Sequence, residues 1–352
     1  MENGNGMQLI ELDPTKHPLW CDLITQQSSL IFHTPMWLQG IATTYEMEMR
    51  AFVLLEDAQP VAGVAFGIVR DPFGDRIAAL PYSDFGDPIV KSAEQWQQLS
   101  DAMRSLNLPI KLRTLHNDRP LQDEAFEKVH RARWHGIDLT LGKDALWSHL
   151  HHSARRAVRK AQKQGITVRR GTTLDDMMTF YRFHVGIRKH KYRMVAQPRR
   201  FFEQIWQQLI ATGNGFVLIA EKDGKPIAAT LFLHWNGVLT YKFNASSLDH
   251  LDFRPNDLII WSGIQAGIDL GLASFDFGLS DWDQEGLVRY KRKFATEEKT
   301  IHFLKHTPDD WEPTIAQPLR SLFPKLTDLF TDPSVSDEVA ARAGDLLYRY
   351  FI

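Results

Sequence analysis

One stretch of the chain, residues 239–295, combines predicted secondary structure with polar side chains that could form a site. Leu239–Ala245 alternates as a strand does, and Arg254–Asp257 then leads into a predicted helix, Leu258–Leu270. Pro255 suits the first turn of that helix, where the free backbone N–H groups can hold a phosphate. The pattern therefore predicts a turn that binds a phosphorylated group.

A single acid lies in the next predicted strand. Ser274–Gly278 (SFDFG) is apolar apart from Asp276 and its terminal residues. A buried carboxylate costs free energy unless it has a partner. Asp276 is therefore predicted either to be buried with a structural partner or to point into a cleft.

A strongly basic run precedes this stretch. Apolar positions at helical spacing predict one helix, Leu146–Gln164, and no acid occurs between Asp144 and Asp175. The basic residues of the run are Arg155, Arg156, Arg159, Lys160, Lys163, Arg169 and Arg170. They predict either a solvated helix face or a site for a phosphorylated ligand.

Composition and motifs exclude several classes of protein. A formal net charge of −2 and a single cysteine, Cys21, argue against a nucleic-acid coat and against a disulfide framework. The chain has no nucleophile elbow, phosphate loop or zincin motif, and no metal site is predicted at His149, His151 and His152. No signal peptide or membrane span is recognisable, so we expect a soluble cytoplasmic protein.

Two segments of the chain resemble each other. Residues 52–68 (FVLLEDAQPVAGVAFGI) and 216–233 (FVLIAEKDGKPIAATLFL) each predict a hairpin with a proline at the entry of its second strand. Pro60 and Pro226 are 226 − 60 = 166 positions apart, which is the length of a domain. The repeat and its flanking helix patterns predict two α/β domains with mixed sheets.

The predicted domain boundaries follow from this repeat. We expect an N-terminal domain at 1–143, a C-terminal domain at 144–306, and a proline-rich tail at 307–352 that packs on the body. The tail should end in a short helix that carries Val339 and Ala343.

With these segments in view, the sequence resembles the FemAB/FemX family of the GNAT superfamily. The matching segments, in chain order, are Leu80–Pro88 (LPYSDFGDP), Ser153–Gly165 (SARRAVRKAQKQG), Phe243–Ser246, Arg254–Trp261 (RPNDLIIW), Phe275–Gly278 (FDFG), Ser280 and Gly286–Phe294 (GLVRYKRKF). The resemblance implies tandem GNAT-like domains of mixed α/β class and transfer of an acyl or aminoacyl group to an amine.

The resemblance also implies roles for individual residues. The expected catalytic residues are Asp276, Tyr241 and Ser280; the donor- or phosphate-binding residues are Arg254, Asn256, Lys291, Arg155, Arg156 and Arg159; the acceptor-binding residues, in a cleft between the domains, are Tyr82 and Asp84. The oxyanion of the tetrahedral intermediate is expected to meet backbone N–H groups of Tyr241–Asn244.

Three functions remain open from the sequence. The first is an acyltransferase that modifies an amino group of a cell-envelope or exopolysaccharide precursor, such as a phosphorylated or lipid-linked sugar. The second is a coenzyme-A-dependent N-acetyltransferase acting on a small amine, and the third is a non-catalytic module that binds phosphate or nucleic acid. No tightly bound cofactor is expected, and the expected donor is aminoacyl-tRNA or acyl-CoA. Peripheral contact with a membrane is left open.

Overall fold

A computed structural model of the chain describes residues 7–311 and 317–351, so the first six residues and Pro313 of the predicted tail lie outside the described part. The described residues form two compact units, 7–133 with 299–311, and 134–298 with 317–351. The domain boundaries suggested by the sequence, after residues 143 and 306, stay predictions.

The elements are numbered in chain order. The strands are β1 (Gln8–Leu12), β2 (Glu48–Glu56), β3 (Gln59–Val69), β4 (Arg76–Ala79), β5 (Ile110–Thr114), β6 (Glu127–Asp138), β7 (Thr167–Gly171), β8 (Gly215–Lys222), β9 (Lys225–Trp235), β10 (Val238–Ser246), β11 (Ser274–Asp281) and β12 (Glu297–His306). The helices are α1 (Pro18–Gln26), α2 (Pro35–Tyr45), α3 (Ala93–Arg104), α4 (Lys143–His149), α5 (His152–Lys163), α6 (Leu174–His190), α7 (Arg199–Ile205), α8 (Pro255–Asp269), α9 (Glu285–Arg292), α10 (Gln317–Phe330) and α11 (Asp337–Leu347).

The first unit is a mixed sheet with α3 packed on one face. Its strand order is β1-β2-β3-β4-β5-β12, in which β4 and β5 run parallel. Trp96 and Leu99 of α3 are buried against Phe52 and Phe66 of the sheet. The helix begins at a capping box in which Ser92 accepts from the third N–H of the helix.

The second unit repeats this plan with a helical layer on each face of its sheet. Its strand order is β6-β11-β10-β9-β8-β7, in which β10 and β11 run parallel. Val158 of α5 and Ile260 of α8 share a buried core with Phe232 of β9. Helices α6 and α7 contribute Phe180 and Phe202, which are buried on the opposite face.

The two predicted hairpins are equivalent, which confirms the repeat read from the sequence. Leu55 pairs with Pro60 in the β2–β3 hairpin, and Glu221 pairs with Pro226 in the β8–β9 hairpin. Both pairs are related by the same offset, since 221 − 55 = 166 and 226 − 60 = 166. Each ladder shifts register just before this pair, so the irregularity itself is repeated.

The prediction of one continuous helix at Leu146–Gln164 is wrong. The structure has two helices, α4 and α5, because Leu150 between them adopts an extended backbone (φ −50°, ψ 136°). The backbone N–H of His151 donates to the carbonyl of Lys293 at 2.9 Å instead of continuing the helix. A contact distant in sequence thus replaces a local helical bond.

The C-terminal segment contains more helix than the sequence suggests. Helix α11 begins close to the predicted position, whereas α10, with Pro324 inside it, was not predicted. Lys189 of α6 is buried, and its Nζ donates to Asp337 of α11 at 2.9 Å. A Cβ at Gly344 would meet the carbonyl oxygen of Ala196, so α11 lies close against the backbone after α6. Within the described ranges, the helices are too short or too polar to span a bilayer.

Candidate functional site

The parallel ladder between β10 and β11 stops halfway along both strands. The paired residues end at Thr240 and Asp276, although β10 continues to Ser246 and β11 to Asp281. The pairing of β10 with β9 is interrupted at the same level by a bulge at Lys242. The backbone segment expected to serve the oxyanion therefore contains the bulge, at the point where two parallel strands separate.

The bulge changes which face of the sheet the side chains occupy. Tyr241 packs against Phe277, with ring centroids 5.6 Å apart, on the face covered by α8. Phe243 packs against Phe202 at 5.4 Å, on the face covered by α6 and α7. Residues two apart on a regular strand share a face, and the extra residue reverses that order.

Three titratable groups lie together near the start of α8. Asp257 is buried in the first turn of the helix, and burial raises the pKa of its carboxyl to about 6, against the opposing effect of Lys293 and Arg254. Burial raises the pKa of Tyr290 well above its usual value, and the charge of Asp257 raises it further. Burial likewise raises the pKa of Tyr241, to which Asp257 also contributes.

This cluster has the protonation states that acyl transfer requires. A carboxyl with a pKa near 6 is mostly ionised at neutral pH and can accept a proton. The two phenols stay protonated because their pKa values are raised, so they can donate a proton or a hydrogen bond. The hydroxyl of Tyr290 is buried and makes no hydrogen bond among the described residues, which leaves its donor available to a bound group.

The sequence did not single out Tyr290 or Asp257 as a titrating pair. In the sequence, Asp257 is part of the predicted phosphate-binding turn and Tyr290 is part of a family motif, and neither was assigned a role of its own. Neither residue type is unusual at its position. Only their meeting in one cluster, with Asp257 and the hydroxyl of Tyr290 buried, marks them.

Asp276 has structural partners. Its Oδ1 accepts from Nε1 of Trp134 at 2.5 Å and from the backbone N–H of Gly278 at 2.6 Å. The side chain lies on the face opposite Phe277, since neighbouring residues of a strand alternate. Tyr241 packs on the Phe277 face, so the structure does not bring Asp276 and Tyr241 to one face of the sheet.

Ser280 and the carbonyls that Lys291 contacts lie beyond Asp276, toward the C-terminal end of β11. Lys291 is buried, and its Nζ donates to the carbonyls of Gly278 at 3.3 Å and Leu279 at 2.9 Å. Ser280 is fully buried, and its hydroxyl has no hydrogen-bond partner among the described residues. Lys291 therefore holds the strand carbonyls that follow Asp276.

His135 of β6 is a buried polar residue that the sequence did not suggest. Its ring is fully buried, with Nε2 3.3 Å from a carboxylate oxygen of Glu298. Burial lowers its pKa to about 4, with Lys291 and Arg292 acting in the same direction and Glu298 against it. The imidazole is therefore neutral at physiological pH.

The predicted phosphate-binding turn is held by a chain of amides. Asn256 donates to Oγ of Ser246 at 3.3 Å and accepts from the amide of Asn244 at 3.2 Å. Arg254 adopts a left-handed backbone (φ 61°) at the start of α8. Its exposed guanidinium makes no hydrogen bond with the described part of the chain. Asn256 thus connects the start of α8 to β10 through hydrogen bonds, and Arg254 faces solvent.

The three arginines of α5 differ in their surroundings. Arg155 donates to the carbonyl of Ser148 at 2.6 Å and so closes the end of α4. Arg159 lies over the ring of Trp147, 5.5 Å from its centroid. Arg156 is exposed and makes no hydrogen bond or ion pair with any described residue. Of the three, Arg156 is the one whose charge is unused by the fold.

Elsewhere in the basic run, acids from other elements provide countercharge. Arg169 of β7 pairs with Asp176 of α6 and with Glu221 of β8, each at 2.7 Å. The gap between Asp144 and Asp175 in the sequence therefore overstates the cationic character of the folded surface.

The predicted acceptor residues Tyr82 and Asp84 follow β4 in the first unit. The ring of Tyr82 stacks on Tyr45 with centroids 3.9 Å apart, and its backbone is left-handed (φ 58°). Tyr82 lines a small pocket of the first unit, whereas Asp84 is not among the lining residues.

Comparisons with known proteins agree with this architecture. Residues 148–292 match the family model of the acetyltransferase (GNAT) domain. The structure of FemX is similar with a TM-score of 0.66 and 13% identity, over 90% of this chain and 100% of that chain. A comparison with curated protein sequences gives no match.

Two further solved structures share the fold. The C-terminal domain of a candidate lysylphosphatidylglycerol synthetase from Agrobacterium fabrum has a TM-score of 0.55 and 16% identity, over 88% of this chain and 94% of that chain. A tandem GNAT protein from the clavulanic acid biosynthesis pathway has a TM-score of 0.56 and 9% identity, over 87% and 100%. The chain therefore has a FemX-like tandem GNAT fold, and its residues 148–292 form an acyltransferase domain of the GNAT superfamily.

Proposed function

We propose that the chain transfers an acyl or aminoacyl group to an amino group of a cell-envelope or exopolysaccharide precursor, at the point where β10 and β11 separate. The observation that carries the proposal is the cluster beside that point, in which the buried Asp257 interacts with the half-buried Tyr241 and Tyr290 and the pKa values of all three are raised. Shifted pKa values of this kind are concentrated at sites that move protons.

The proposed reaction uses Asp257 as the base and one of the two tyrosines as the acid. The acceptor amine attacks the carbonyl carbon of an ester or thioester donor and gives up a proton, which the carboxylate of Asp257 accepts. The tetrahedral intermediate then expels the alcohol or thiol of the donor. Tyr290 or Tyr241 supplies the proton that this leaving group needs, and the proton held by Asp257 then returns to that tyrosine. Backbone N–H groups of Tyr241–Asn244 stabilise the intermediate's oxyanion.

The donor is aminoacyl-tRNA or acyl-CoA, and both carry phosphates. Arg254 presents an exposed guanidinium at the start of α8, and Arg156 presents another on α5. We assign donor binding to these two arginines, because the other predicted cations make contacts within the fold. Guanidinium groups bind phosphate through paired N–H donors.

The acceptor class rests on the relatives. The fold is shared with FemX and with a domain named for lysylphosphatidylglycerol, an aminoacylated lipid. These likenesses favour aminoacyl transfer to an envelope component.

The second candidate is a coenzyme-A-dependent N-acetyltransferase acting on a small amine. It is favoured by one observation, the match of residues 148–292 to a family model described as an acetyltransferase domain. The two candidates share the proton-transfer cluster and differ in the donor.

The test supplies the purified chain with each donor in turn. Release of free thiol from acetyl-CoA is followed with a panel of amines, and deacylation of mixed aminoacyl-tRNA is followed with nucleotide-linked and lipid-linked sugar peptides. We expect turnover with one donor, and a loss of about a hundredfold in Asp257→Asn. Asp269→Asn, at an exposed position of the same helix, is the matched control. Full turnover in Asp257→Asn would reject the proposed chemistry.

A further inference from the structure

A pocket of about 650 Å³ lies within the second unit, between α6, the start of α7 and α11. Its lining includes Met178, Tyr181 and Val185 of α6, Arg199 of α7, and Ala341 of α11. The volume falls in the range of roughly 300–1,000 Å³ that is usual for sites of small molecules. We call it the α6–α11 pocket.

The α6–α11 pocket is distinct from the point where β10 and β11 separate. Helical residues advance by roughly 100° each, so the lining residues Tyr181 and Val185 belong to one stripe of α6. Phe180 and His184 lie on the other side of the helix, where both rings pack against Phe243 of β10. The pocket therefore lies on the face of α6 that points away from the sheet.

Helix α11 is held against α6 and α7 at both of its ends. Near its start, Oδ1 of Asp337 lies 2.9 Å from Nζ of Lys189 and 2.9 Å from Nε2 of His190. Near its end, Oδ1 of Asp345 accepts from the backbone N–H of Arg199 at 3.2 Å. These contacts fix the walls of the pocket, and they match the charge of Asp337 within the fold.

The hydroxyl of Tyr181 is a buried polar group that the fold does not use. The residue is 8% exposed, and its hydroxyl makes no hydrogen bond with the described part of the chain. Burial raises the pKa of Tyr181, the charge of Asp345 raises it further, and Arg199 lowers it. Because Asp345 and Arg199 both line the pocket, the hydroxyl lies on the pocket side of the ring. A buried polar group without a partner costs free energy, which a ligand that bonds to it recovers.

The lining of the α6–α11 pocket carries unused charges of both signs. The side chains of Asp175, Glu338 and Arg342 are exposed and make no hydrogen bond or ion pair with any described residue. Arg182 is also exposed and donates through one terminal nitrogen to Oγ1 of Thr179 at 2.7 Å, which leaves its other N–H donors available. Two carboxylates and two guanidinium groups therefore surround the mouth, above the buried hydroxyl.

We propose that the α6–α11 pocket binds a zwitterionic ligand, an amino acid or a short peptide with a free amino group and a free carboxylate. A purely anionic ligand is repelled by the lining carboxylates, and a purely cationic ligand is repelled by the arginines. A zwitterion offers its ammonium to Asp175 or Glu338 and its carboxylate to the planar fork of Arg182 or Arg342. Its apolar part packs on the α6 wall, and Tyr181 supplies a hydrogen bond from below.

The ligand would connect two helices that belong to different parts of the chain. Asp175 and Arg182 lie on α6, whereas Glu338 and Arg342 lie on α11. A ligand that binds the folded chain alone raises the free energy of unfolding. Saturation with the ligand should therefore raise the melting temperature of the chain.

Binding is tested by calorimetry on the intact chain in the absence of acyl donor. The zwitterionic probes are L-leucine and L-leucyl-L-leucine, chosen because the α6 wall is apolar. The matched controls are N-acetyl-L-leucine, which lacks the ammonium, and L-leucinamide, which lacks the carboxylate. We expect a zwitterion to bind with a Kd of about 1 mM or tighter, and each blocked form to bind about tenfold or more weakly.

Two variants test the residues assigned to the site. Tyr181→Phe should weaken binding of the zwitterion about three- to tenfold without lowering the melting temperature, since the lost hydroxyl has no partner in the described fold. Arg182→Gln/Arg342→Gln should weaken binding about tenfold or more. Arg200→Gln, at an exposed position of α7 outside the pocket lining, should bind like the parent.

Three results would overturn the proposal. The first is a parent chain that binds neither zwitterion, and the second is a blocked form that binds as tightly as leucine. The third is parental affinity in Tyr181→Phe or in Arg182→Gln/Arg342→Gln. None of these results bears on transfer at Asp257, because no acyl donor takes part.

Discussion

Nε1 of Trp134 on β6 donates a hydrogen bond of 2.5 Å to the carboxylate of Asp276 on β11, and the same oxygen accepts from the N–H of Gly278. Because both donors meet Oδ1, an asparagine with its oxygen in that place can accept both. We expect Asp276→Asn to lower the melting temperature less than Asp276→Ala does, because asparagine keeps this acceptor. Asp276→Ala should lower the free energy of unfolding by about 2–4 kcal/mol, since two buried donors lose their acceptor. Urea denaturation measures both.

The same pair of variants separates structure from catalysis at this residue. A hundredfold loss of turnover in Asp276→Asn at unchanged stability would place its charge in the reaction, as the sequence first suggested. Parental turnover would make Asp276 a structural residue and leave Asp257 as the base.

A stability gain is predicted for the catalytic variant Asp257→Asn. The pKa of this carboxyl is about 6 in the folded chain and about 3.9 in the unfolded chain, so the folded state binds more protons between these values. The free energy of unfolding therefore falls as pH rises from about 4 to 6. At pH 8, Asp257→Asn should be more stable than the parent and far less active. The rate of the parent should rise with pH around an apparent pKa of about 6. A variant less stable than the parent at pH 8 would contradict the burial argument.

Two buried histidines should make the fold sensitive to mild acid. The pKa is lowered to about 4 at His135 and to about 3 at His184, in each case chiefly by burial. The unfolded chain, with histidine near 6.5, binds more protons below that pH. The stabilising effect is thus complete above pH 6.5 and is lost as pH falls toward 4 and 3.

The expected slope is about 1.4 kcal/mol per pH unit for each of these histidines. Urea denaturation at pH 7.5, 6 and 5 measures this slope. His135→Gln should reduce the slope by about 1.4 kcal/mol per pH unit, the contribution of one histidine. An unchanged slope in that variant would show that His135 is not buried in its neutral form.

The two hairpins allow a paired test of backbone conformation. The turn of the β2–β3 hairpin places Ala58 at φ 63°, and the β8–β9 turn places Gly224 at φ 74° in the same position. A left-handed backbone costs an L-residue about 1–2 kcal/mol. Glycine avoids this cost, but it loses more conformational entropy on folding, which offsets part of the gain. We expect Ala58→Gly to stabilise the chain by about 0.5–1 kcal/mol and Gly224→Ala to destabilise it by a similar amount. If both variants changed the free energy of unfolding in the same direction, the left-handed backbone would not be its cause.

Local patterns in the sequence determined the two hairpins and the start of α8. Turn residues before Pro60 and Pro226 and the proline at Pro255 act on the backbone within a few residues. Their effects are therefore readable without knowledge of the fold. The repeat of 166 positions likewise determined the tandem plan, because equal patterns bury equal faces.

Contacts distant in sequence decided the site. The register that pairs Thr240 with Asp276 put Tyr241 on the opposite face of the sheet. The carbonyl of Lys293 broke the helix predicted through Leu150. Asp257 became a candidate base only because tertiary packing buries it, since its local sequence resembles an ordinary helix start. Strand pairing, burial and the electric field of neighbouring charges depend on which segments meet, and that is a property of the tertiary structure.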